Sequence, residues 1–264
     1  MAPKNPFKPT AGARPPVLAG RQDDLDLIDE SLDSGPGAPG RLALVTGARG
    51  VGKTAMLAAI ADLVATKAQW VTITETAHPG LTERLRETAL RRDAATTHDP
   101  DVGRITGITL PGNIGLHREA PRQPAETMRT ALVRLLDTLD RYDTGLIATI
   151  DEVQGGRLGE LREVAATFQH LTGGGRNHAL ILAGLPSAVS DVLNDSVLTF
   201  LRRAEPITLS AVSPDDVRAA LADPIEASGR AIDADALELA VEATGGYPYL
   251  IQLVGYQVWR RARD

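Results

Sequence analysis

Residues 47–54 read Gly-Ala-Arg-Gly-Val-Gly-Lys-Thr, and this stretch decides the fold of the chain. It matches the pattern G-x-x-x-x-G-K-[S/T], in which glycines let backbone N–H groups surround phosphate oxygens. An apolar run of strand character, residues 41–46, precedes the loop, and residues 55–64 follow it with helical spacing. A strand, a glycine-rich loop and a helix N-terminus in this order form an anion site, because the helix dipole adds positive potential there. The stretch therefore predicts a site for the phosphates of a nucleotide.

The residue types of the loop assign separate tasks to its members. Lys53 supplies a mobile cation for the β- and γ-phosphates, and the Thr54 hydroxyl is a ligand suited to Mg²⁺. The other positions offer backbone N–H groups. The predicted nucleotide-binding residues of this stretch are Gly47, Ala48, Arg49, Gly50, Val51, Gly52, Lys53, Thr54 and Ala55.

The composition of the 264-residue chain favours helices packed on a parallel sheet. Hydrophobic residues make up 43% of the chain and aromatic residues only 3%, so the core must consist of Leu, Val, Ile and Ala. The formal net charge of -6 does not indicate nucleic acid or an anionic membrane as partner. The sequence has no cysteine, which excludes disulfides and thiolate metal sites. No apolar stretch approaches the ~20 residues that span a bilayer, and we expect a cytoplasmic protein without a membrane partner.

The hydrophobic pattern divides the chain into three parts. Residues 1–16 are rich in proline and poor in apolar residues, and we expect a flexible N-terminal tail. Residues 17–210 predict an α/β core, a three-layer αβα sandwich around a mainly parallel sheet. Residues 211–264 carry helical patterns alone and predict a small helical lid. Within the core, prolines and glycines interrupt residues 91–124, where we expect an insertion that could contain a hairpin.

Secondary structure can be assigned along most of the core and the lid. The predicted strands are residues 41–46, 70–75, 145–150, 179–183 and 206–209. The predicted helices are residues 22–32, 55–64, 81–90, 125–142, 158–171, 188–193, a helix that begins at 214, 233–243 and 247–263.

An acidic pair follows one of the buried apolar strands. Residues 145–150 read Gly-Leu-Ile-Ala-Thr-Ile and end in Asp151-Glu152. Open α/β sheets bind their ligands at the carboxyl ends of the strands, so this pair would lie beside the phosphate loop. Asp151 would then hold the Mg²⁺ shell together with Thr54, and Glu152 would activate the water that attacks the γ-phosphate. The alternative is an ordinary exposed acidic turn after a strand.

The order of these elements resembles the AAA+ or STAND-type P-loop ATPases, and most closely the origin-recognition-like and archaeal-type ATPases. Two further segments carry the resemblance. Residues 17–21, Val-Leu-Ala-Gly-Arg, are similar to the family's "GRxxEL" segment, whose backbone lies near adenine. Residues 244–250, Thr-Gly-Gly-Tyr-Pro-Tyr-Leu, resemble the "GGxPxxL" segment that opens a lid helix. The resemblance implies ATP and Mg²⁺ as cofactors, nucleotide contacts at Gly20 and Arg21, and Lys53 and Glu152 as catalytic residues.

Two more site residues follow from the resemblance. In STAND proteins the proline that matches Pro248 couples the lid to the phosphate state of the nucleotide, and Tyr247 stands beside it. An ordinary helix–loop–helix with its usual Gly and Pro would explain the same residues. Arg203 stands where the family places an arginine finger that acts on a neighbouring subunit's nucleotide. The alternative for Arg203 is an ordinary surface arginine.

Two departures from the family pattern point to slow turnover. The end of the fourth strand offers no polar sensor residue unless Ser187 serves, and the sensor arginine that AAA+ unfoldases carry near Gly245 is missing. We therefore expect slow ATP hydrolysis, used as a conformational or oligomerisation switch. The expected partners are ATP or ADP, further copies of the chain and a protein that the sequence does not identify.

Two other functions use the same phosphate site. One is a DNA-associated ATPase of the origin-recognition or transposition-helper kind, and the other is a P-loop small-molecule kinase. The charge of the lid does not support DNA binding, because residues 211–264 contain nine acidic and five basic residues. Family members usually carry a winged-helix domain beyond the lid, whereas this sequence ends at Asp264.

Overall fold

Five strands form an all-parallel sheet in the residues that the computed structural model describes, which are 4–10, 12–67, 70–98, 126–195 and 198–262. The strands are β1 (Leu42–Thr46), β2 (Trp70–Thr76), β3 (Gly145–Asp151), β4 (His178–Gly184) and β5 (Glu205–Thr208). The helices of these ranges are α1 (Gln22–Asp33), α2 (Lys53–Thr66), α3 (Leu81–His98), α4 (Met128–Asp140), α5 (Leu158–Gly173), α6 (Pro186–Asn194), α7 (Pro214–Ala227), α8 (Ala234–Thr244) and α9 (Pro248–Arg261). Within the described ranges, no helix is long and apolar enough to cross a membrane.

The strand order places the two sequence motifs at one edge of the sheet. The order is β2-β3-β4-β1-β5, so a single strand, β4, separates β1 from β3. In the register of β1 and β4, Thr46 lies opposite Gly184, and in that of β2 and β3, Thr76 lies opposite Asp151. Since all five strands run in the same direction, the phosphate loop after β1 and the acidic pair after β3 leave the sheet at the same edge.

The helices cover both faces of the sheet, which confirms the predicted three-layer sandwich. Alternate residues of β1 face opposite sides, as the period of a strand requires. Ala43 and Val45 are buried with residues of α1 and α2, whereas Leu44 belongs to the core formed with α3, α4, α5 and α6. Every residue of β3 and of β4 is buried, which explains why these strands appear in the sequence as continuous apolar runs.

The helices α7, α8 and α9 follow β5 and surround a third apolar core. Helix α7 begins where the sequence predicts it, because the Ser213 side chain accepts a hydrogen bond from the Asp216 N–H and Pro214 occupies the first helical position. The core of this region includes Val217, Leu221, Ile251 and Trp259. The proposed boundary near residue 210 falls between β5 and α7. We call α7–α9 the lid from here on.

Helix α3 is longer than expected. It continues through His98, so residues 91–98 of the expected insertion are helical. Tertiary contacts explain the difference, because the buried Asp93 carboxylate accepts hydrogen bonds from Arg134 Nε at 2.7 Å and from Thr138 Oγ1 at 2.5 Å on α4. Such pairing between distant residues leaves no apolar periodicity in residues 91–98, the last turns of α3. The rest of the expected insertion and its hairpin lie outside the described residues.

The N-terminal residues also differ from the expected flexible tail. Phe7 is buried in the core of the lid, where it packs against Gly255 of α9. A single aromatic side chain among prolines was too weak a signal to predict this packing from the sequence.

Replacing Leu135 of α4 with alanine should destabilise the protein by about 2–5 kcal/mol, because the side chain is fully buried at 0% exposure and its loss leaves a cavity. Urea unfolding would measure the change. Leu239→Ala is the matched control, since that side chain is 66% exposed, and its effect should stay within about 0.5 kcal/mol. Equal effects of the two substitutions would contradict the assignment of α4 to the core.

Candidate nucleotide-binding site

The phosphate loop connects β1 to the N-terminus of α2. Gly50 has a φ of 79° and Gly52 a φ of 96°, values that residues with a side chain rarely adopt. Lys53, the first residue of α2, is buried, and its Nζ donates hydrogen bonds to the carbonyl oxygens of Gly47 at 3.0 Å and Ala48 at 2.9 Å. The loop therefore encloses an ammonium group at the helix terminus, where its positive charge adds to that of the helix dipole.

Asp151 joins the phosphate loop to the end of β3. The Thr54 hydroxyl donates a hydrogen bond to Asp151 Oδ2 at 2.6 Å, and the Glu152 N–H donates to Asp151 Oδ1 at 2.8 Å. The Asp151 side chain is buried, so these bonds fix both of its carboxylate oxygens. A hydroxyl and a carboxylate in contact suit Mg²⁺, which binds proteins through one or two such oxygens and takes its other ligands from phosphates and water.

Glu152 adopts a strained backbone conformation. Its φ of 56° and ψ of 45° lie in the left-handed region, which costs a residue with a side chain of the order of 1–3 kcal/mol. The conformation turns the residue away from the direction of β3, and its side chain lines the same cavity as Lys53 and Thr54. The Gln154 amide donates a hydrogen bond to Glu152 Oε2, and its own Oε1 accepts one from the Leu185 N–H at 3.1 Å. Gln154 thereby ties the carboxylate to the residue that follows β4.

A cavity of about 740 Å³ connects the phosphate loop to the lid. Its size is within the range of ordinary ligand pockets. Three groups of residues form its wall. The core contributes Arg49, Gly50, Val51, Gly52, Lys53, Thr54, Ala55, Ala58 and Glu152. The lid and the link between β5 and α7 contribute Val212, Ala220, Pro248, Tyr249, Ile251 and Gln252. The N-terminal part of the chain contributes Lys8, Pro9, Thr10, Gly12, Ala13, Arg14, Pro15, Val17, Leu18, Ala19 and Arg21.

The lid contacts the phosphate loop directly through Tyr247. The Tyr247 hydroxyl donates a hydrogen bond to the Arg49 carbonyl, and the ring lies against Gly50, where an added Cβ would come within 2.8 Å of Cε1. Pro248 follows at the start of α9 and lines the cavity, with its Cβ 3.9 Å from where a Cβ would stand on Gly52. Both residues of the Tyr-Pro pair thus lie at the loop that the sequence assigns to phosphate.

Arg21 connects residues 17–21 to the link between β5 and α7. Its guanidinium donates hydrogen bonds to the Ser210 carbonyl and, at 3.3 Å, to the Gly20 carbonyl. Burial lowers the pKa of Arg21, and the nearby carboxylates of Asp24 and Asp216 oppose that shift. Arg21 is part of the cavity wall, whereas Gly20 is not, and a Cβ added at Gly20 would lie 3.0 Å from Asp216 Oδ2.

The sequence candidates Arg203 and Ser187 also lie outside this cavity. Arg203 ends a short 3-10 helix, Thr199–Arg203, just before β5, and its side chain is exposed away from the cavity wall. Ser187 lies in the first turn of α6 and is also exposed. The cavity wall therefore brings together residues 49–55, Glu152, Arg21 and Pro248. Asp151 is not part of the wall and joins the site through the hydrogen bond that it accepts from Thr54.

Two parts of the site were not predicted from the sequence. Gln154 stands two residues after the acidic pair, and its position near the carboxyl ends of the strands was the available signal. The second part is the N-terminal segment that lines the cavity. Its only sequence signal for packing was the aromatic residue Phe7, which is buried.

Comparison with known proteins identifies the class to which this site belongs. Residues 17–182, more than half of the chain, match the family model described as the AAA ATPase domain. The chain therefore belongs to the AAA ATPase domain family, as the resemblance implied. A search of curated proteins gave no match.

Solved structures of low sequence identity share the fold. The Walker-type ATPase PABY2304 of Pyrococcus abyssi is 20% identical, with a TM-score of 0.64 over 99% of this chain and 71% of that protein. Cdc6p from Pyrobaculum aerophilum is 20% identical, with a TM-score of 0.58 over 97% of this chain and 66% of that protein. The Aeropyrum pernix ORC2 protein, solved with ADPNP and ADP, is 17% identical, with a TM-score of 0.57 over 92% of this chain and 63% of that protein.

Replacing Tyr247 with phenylalanine should loosen the lid at the phosphate loop, because the ring stays against Gly50 while the bond to the Arg49 carbonyl is lost. A lost hydrogen bond of about 1 kcal/mol corresponds to roughly fivefold faster local opening. Hydrogen exchange at the Ile251 amide, which donates to the Tyr247 carbonyl at 2.9 Å, would report this opening. Tyr142→Phe is the control, since Tyr142 is an exposed tyrosine that follows α4, outside the lid. Unchanged exchange in Tyr247→Phe would show that the hydroxyl does not hold the lid.

Proposed function

We propose that the protein is a Mg²⁺-dependent ATPase that hydrolyses ATP slowly and uses the nucleotide state as a conformational or oligomerisation switch. The contact of Thr54 with Asp151 carries the proposal. It joins the phosphate loop to the acidic pair at 2.6 Å, and Glu152 lines the same cavity. Membership of the AAA ATPase domain family supports ATP as the nucleotide.

In this proposal, the residues of the loop bind and orient the nucleotide. Backbone N–H groups of the loop and the Lys53 ammonium would bind the phosphates, and Lys53 would exchange its bonds to the Gly47 and Ala48 carbonyls for bonds to phosphate oxygens. Thr54 would hold Mg²⁺ directly, and Asp151 would hold its shell. When bound, Mg²⁺ supplies positive charge that neutralises the β- and γ-phosphate oxygens.

Glu152 is the proposed base. Its carboxylate would accept a proton from the attacking water as that water's oxygen bonds to the γ-phosphorus and the bond to the bridging β,γ-oxygen breaks. The bond from Gln154 occupies Oε2, which leaves Oε1 for the water. Arg203 is exposed and therefore accessible to a neighbouring subunit, and we propose it as the arginine finger that acts on the nucleotide of that subunit.

The lid contacts support the switch. Tyr247 bonds to the backbone of the phosphate loop, and Pro248 lines the cavity, so a change in the loop on nucleotide binding would act directly on the first turn of α9. A ligand shifts the equilibrium between two lid positions only as far as its affinities for the two positions differ. The DNA-associated ATPase remains an alternative use of the same site, although the net charge of the lid opposes it.

Lys53→Ala should weaken ATP binding at least tenfold, which corresponds to about 1.4 kcal/mol, because the loop loses its cation. Isothermal titration with ATP and Mg²⁺ would measure the affinity. Lys67→Ala is the matched control, since Lys67 lies at the opposite end of α2 and pairs with Asp29 and Asp33. Retained affinity in Lys53→Ala would contradict nucleotide binding at this loop.

Glu152→Gln should lower the rate of phosphate release by about 100-fold or more, because a proton acceptor of this kind contributes ~10²–10⁴-fold. ATP affinity should stay within about twofold, since the amide keeps the shape of the side chain. Single-turnover phosphate release and an ATP titration would separate the two effects. Glu163→Gln, at an exposed site on α5, is the control. Unchanged turnover would remove Glu152 from the proposed role.

A further inference from the structure

The N-terminal segment, residues 4–10 and 12–17, crosses the molecule from the lid to the core. Its lid end is anchored by Phe7, which is 2% exposed and lies in the core of the lid with Val217 and Trp259. Helix α9 makes room for the ring at Gly255, where an added Cβ would lie 2.5 Å from Phe7 Cδ1. A side chain at position 255 would therefore displace Phe7.

Polar bonds fix the same end of the segment to α9. Asn5 Nδ2 donates to the Tyr256 carbonyl at 3.2 Å, and the Lys8 N–H donates to Gln252 Oε1 at 3.1 Å. Gln252 also lines the nucleotide cavity. The lid and the beginning of the segment thus form one packed unit.

The other end of the segment is held by an exposed ion pair on the core. Arg14 Nη1 donates to both carboxylate oxygens of Asp62, at 2.6 and 2.5 Å. Asp62 belongs to α2, the helix that begins at the phosphate loop. The two side chains are 63% and 52% exposed, so the pair is weak and sensitive to salt.

Between these two attachments, the segment forms part of the cavity wall. Lys8, Pro9, Thr10, residues 12–15 and Val17 line the cavity, and Leu18, Ala19 and Arg21 continue its wall. Prolines at 6, 9, 15 and 16 restrict the backbone and reduce the conformational entropy that the segment loses when it lies in place.

We propose that residues 4–10 and 12–17 belong to the nucleotide site as a strap, anchored in the lid by Phe7 and fastened to α2 by Arg14, that retains a bound nucleoside di- or triphosphate. The proposal rests on the nucleotide binding of the proposed function and not on hydrolysis. Since the Phe7 end is buried and the Arg14 end is exposed, the strap opens at Arg14 and stays attached to the lid. Opening of the Arg14–Asp62 pair therefore precedes nucleotide release.

The rate of ADP release tests the strap. A fluorescent ADP analogue is bound to the full chain and displaced by excess ADP in a stopped-flow experiment. Arg14→Ala and Asp62→Ala should each speed release by about two- to fivefold, as the loss of an exposed ion pair allows. The double variant should release no faster than either single one, because both remove the same contact. Arg129→Ala, at an exposed arginine of α4 that does not line the cavity, is the control and should release at the wild-type rate.

Charge reversal and salt make the test specific for this pair. Arg14→Asp and Asp62→Arg should each speed release, and their combination should restore the wild-type rate. Raising the salt concentration should speed release more in the wild type than in Arg14→Ala, because the variant has no pair to screen.

Phe7→Ala tests the buried anchor and should speed release at least tenfold. Where this variant does not fold, the Arg14 and Asp62 variants decide the question alone. Normal nucleotide binding with wild-type release rates in all the strap variants would overturn the strap and leave the proposed function intact. Failure of the wild type to bind ATP or ADP at all would overturn the strap and the proposed function together.

Discussion

The hydrogen bond from Thr54 to Asp151 holds the site together, and it depends on the strand order. The two residues are 97 positions apart in the sequence. They meet because β1 and β3 are separated by one strand, a distance of about 10 Å, and because parallel strands end at the same edge of the sheet. Asp151 also accepts a bond from the Glu152 N–H, so the position of Glu152 follows from the same contact.

The sequence predicted those parts of the molecule whose signal is local. The phosphate loop is a contiguous pattern, and β3 and β4 are apolar runs because sheet and helices bury them on both faces. The acidic pair could be placed beside the loop because its position follows from the rule for parallel sheets. The phosphate-loop motif and the assigned strands were together sufficient to predict that the loop and the acidic pair lie side by side.

Other parts could not be predicted because their contacts join distant residues. The last turns of α3 depend on Asp93, which is paired with two side chains of α4, and no pattern within α3 shows this. Phe7 packs in the core of the lid and against Gly255, which is nearly the whole chain away in the sequence. The orientation of Glu152 depends on Gln154, which in turn needs the Leu185 N–H at the end of another strand. Each of these features exists only once the tertiary structure has formed.

In the proposed function, the left-handed backbone at Glu152 sets stability against activity. Glycine would adopt the same φ of 56° without the steric cost, and it would lower the energy of the folded state at this position. It would also remove the only side chain that the strained turn presents to the cavity. If Glu152 has the proposed role, the protein keeps a locally unfavourable residue because glycine would lack the carboxylate, which is a trade-off between stability and activity.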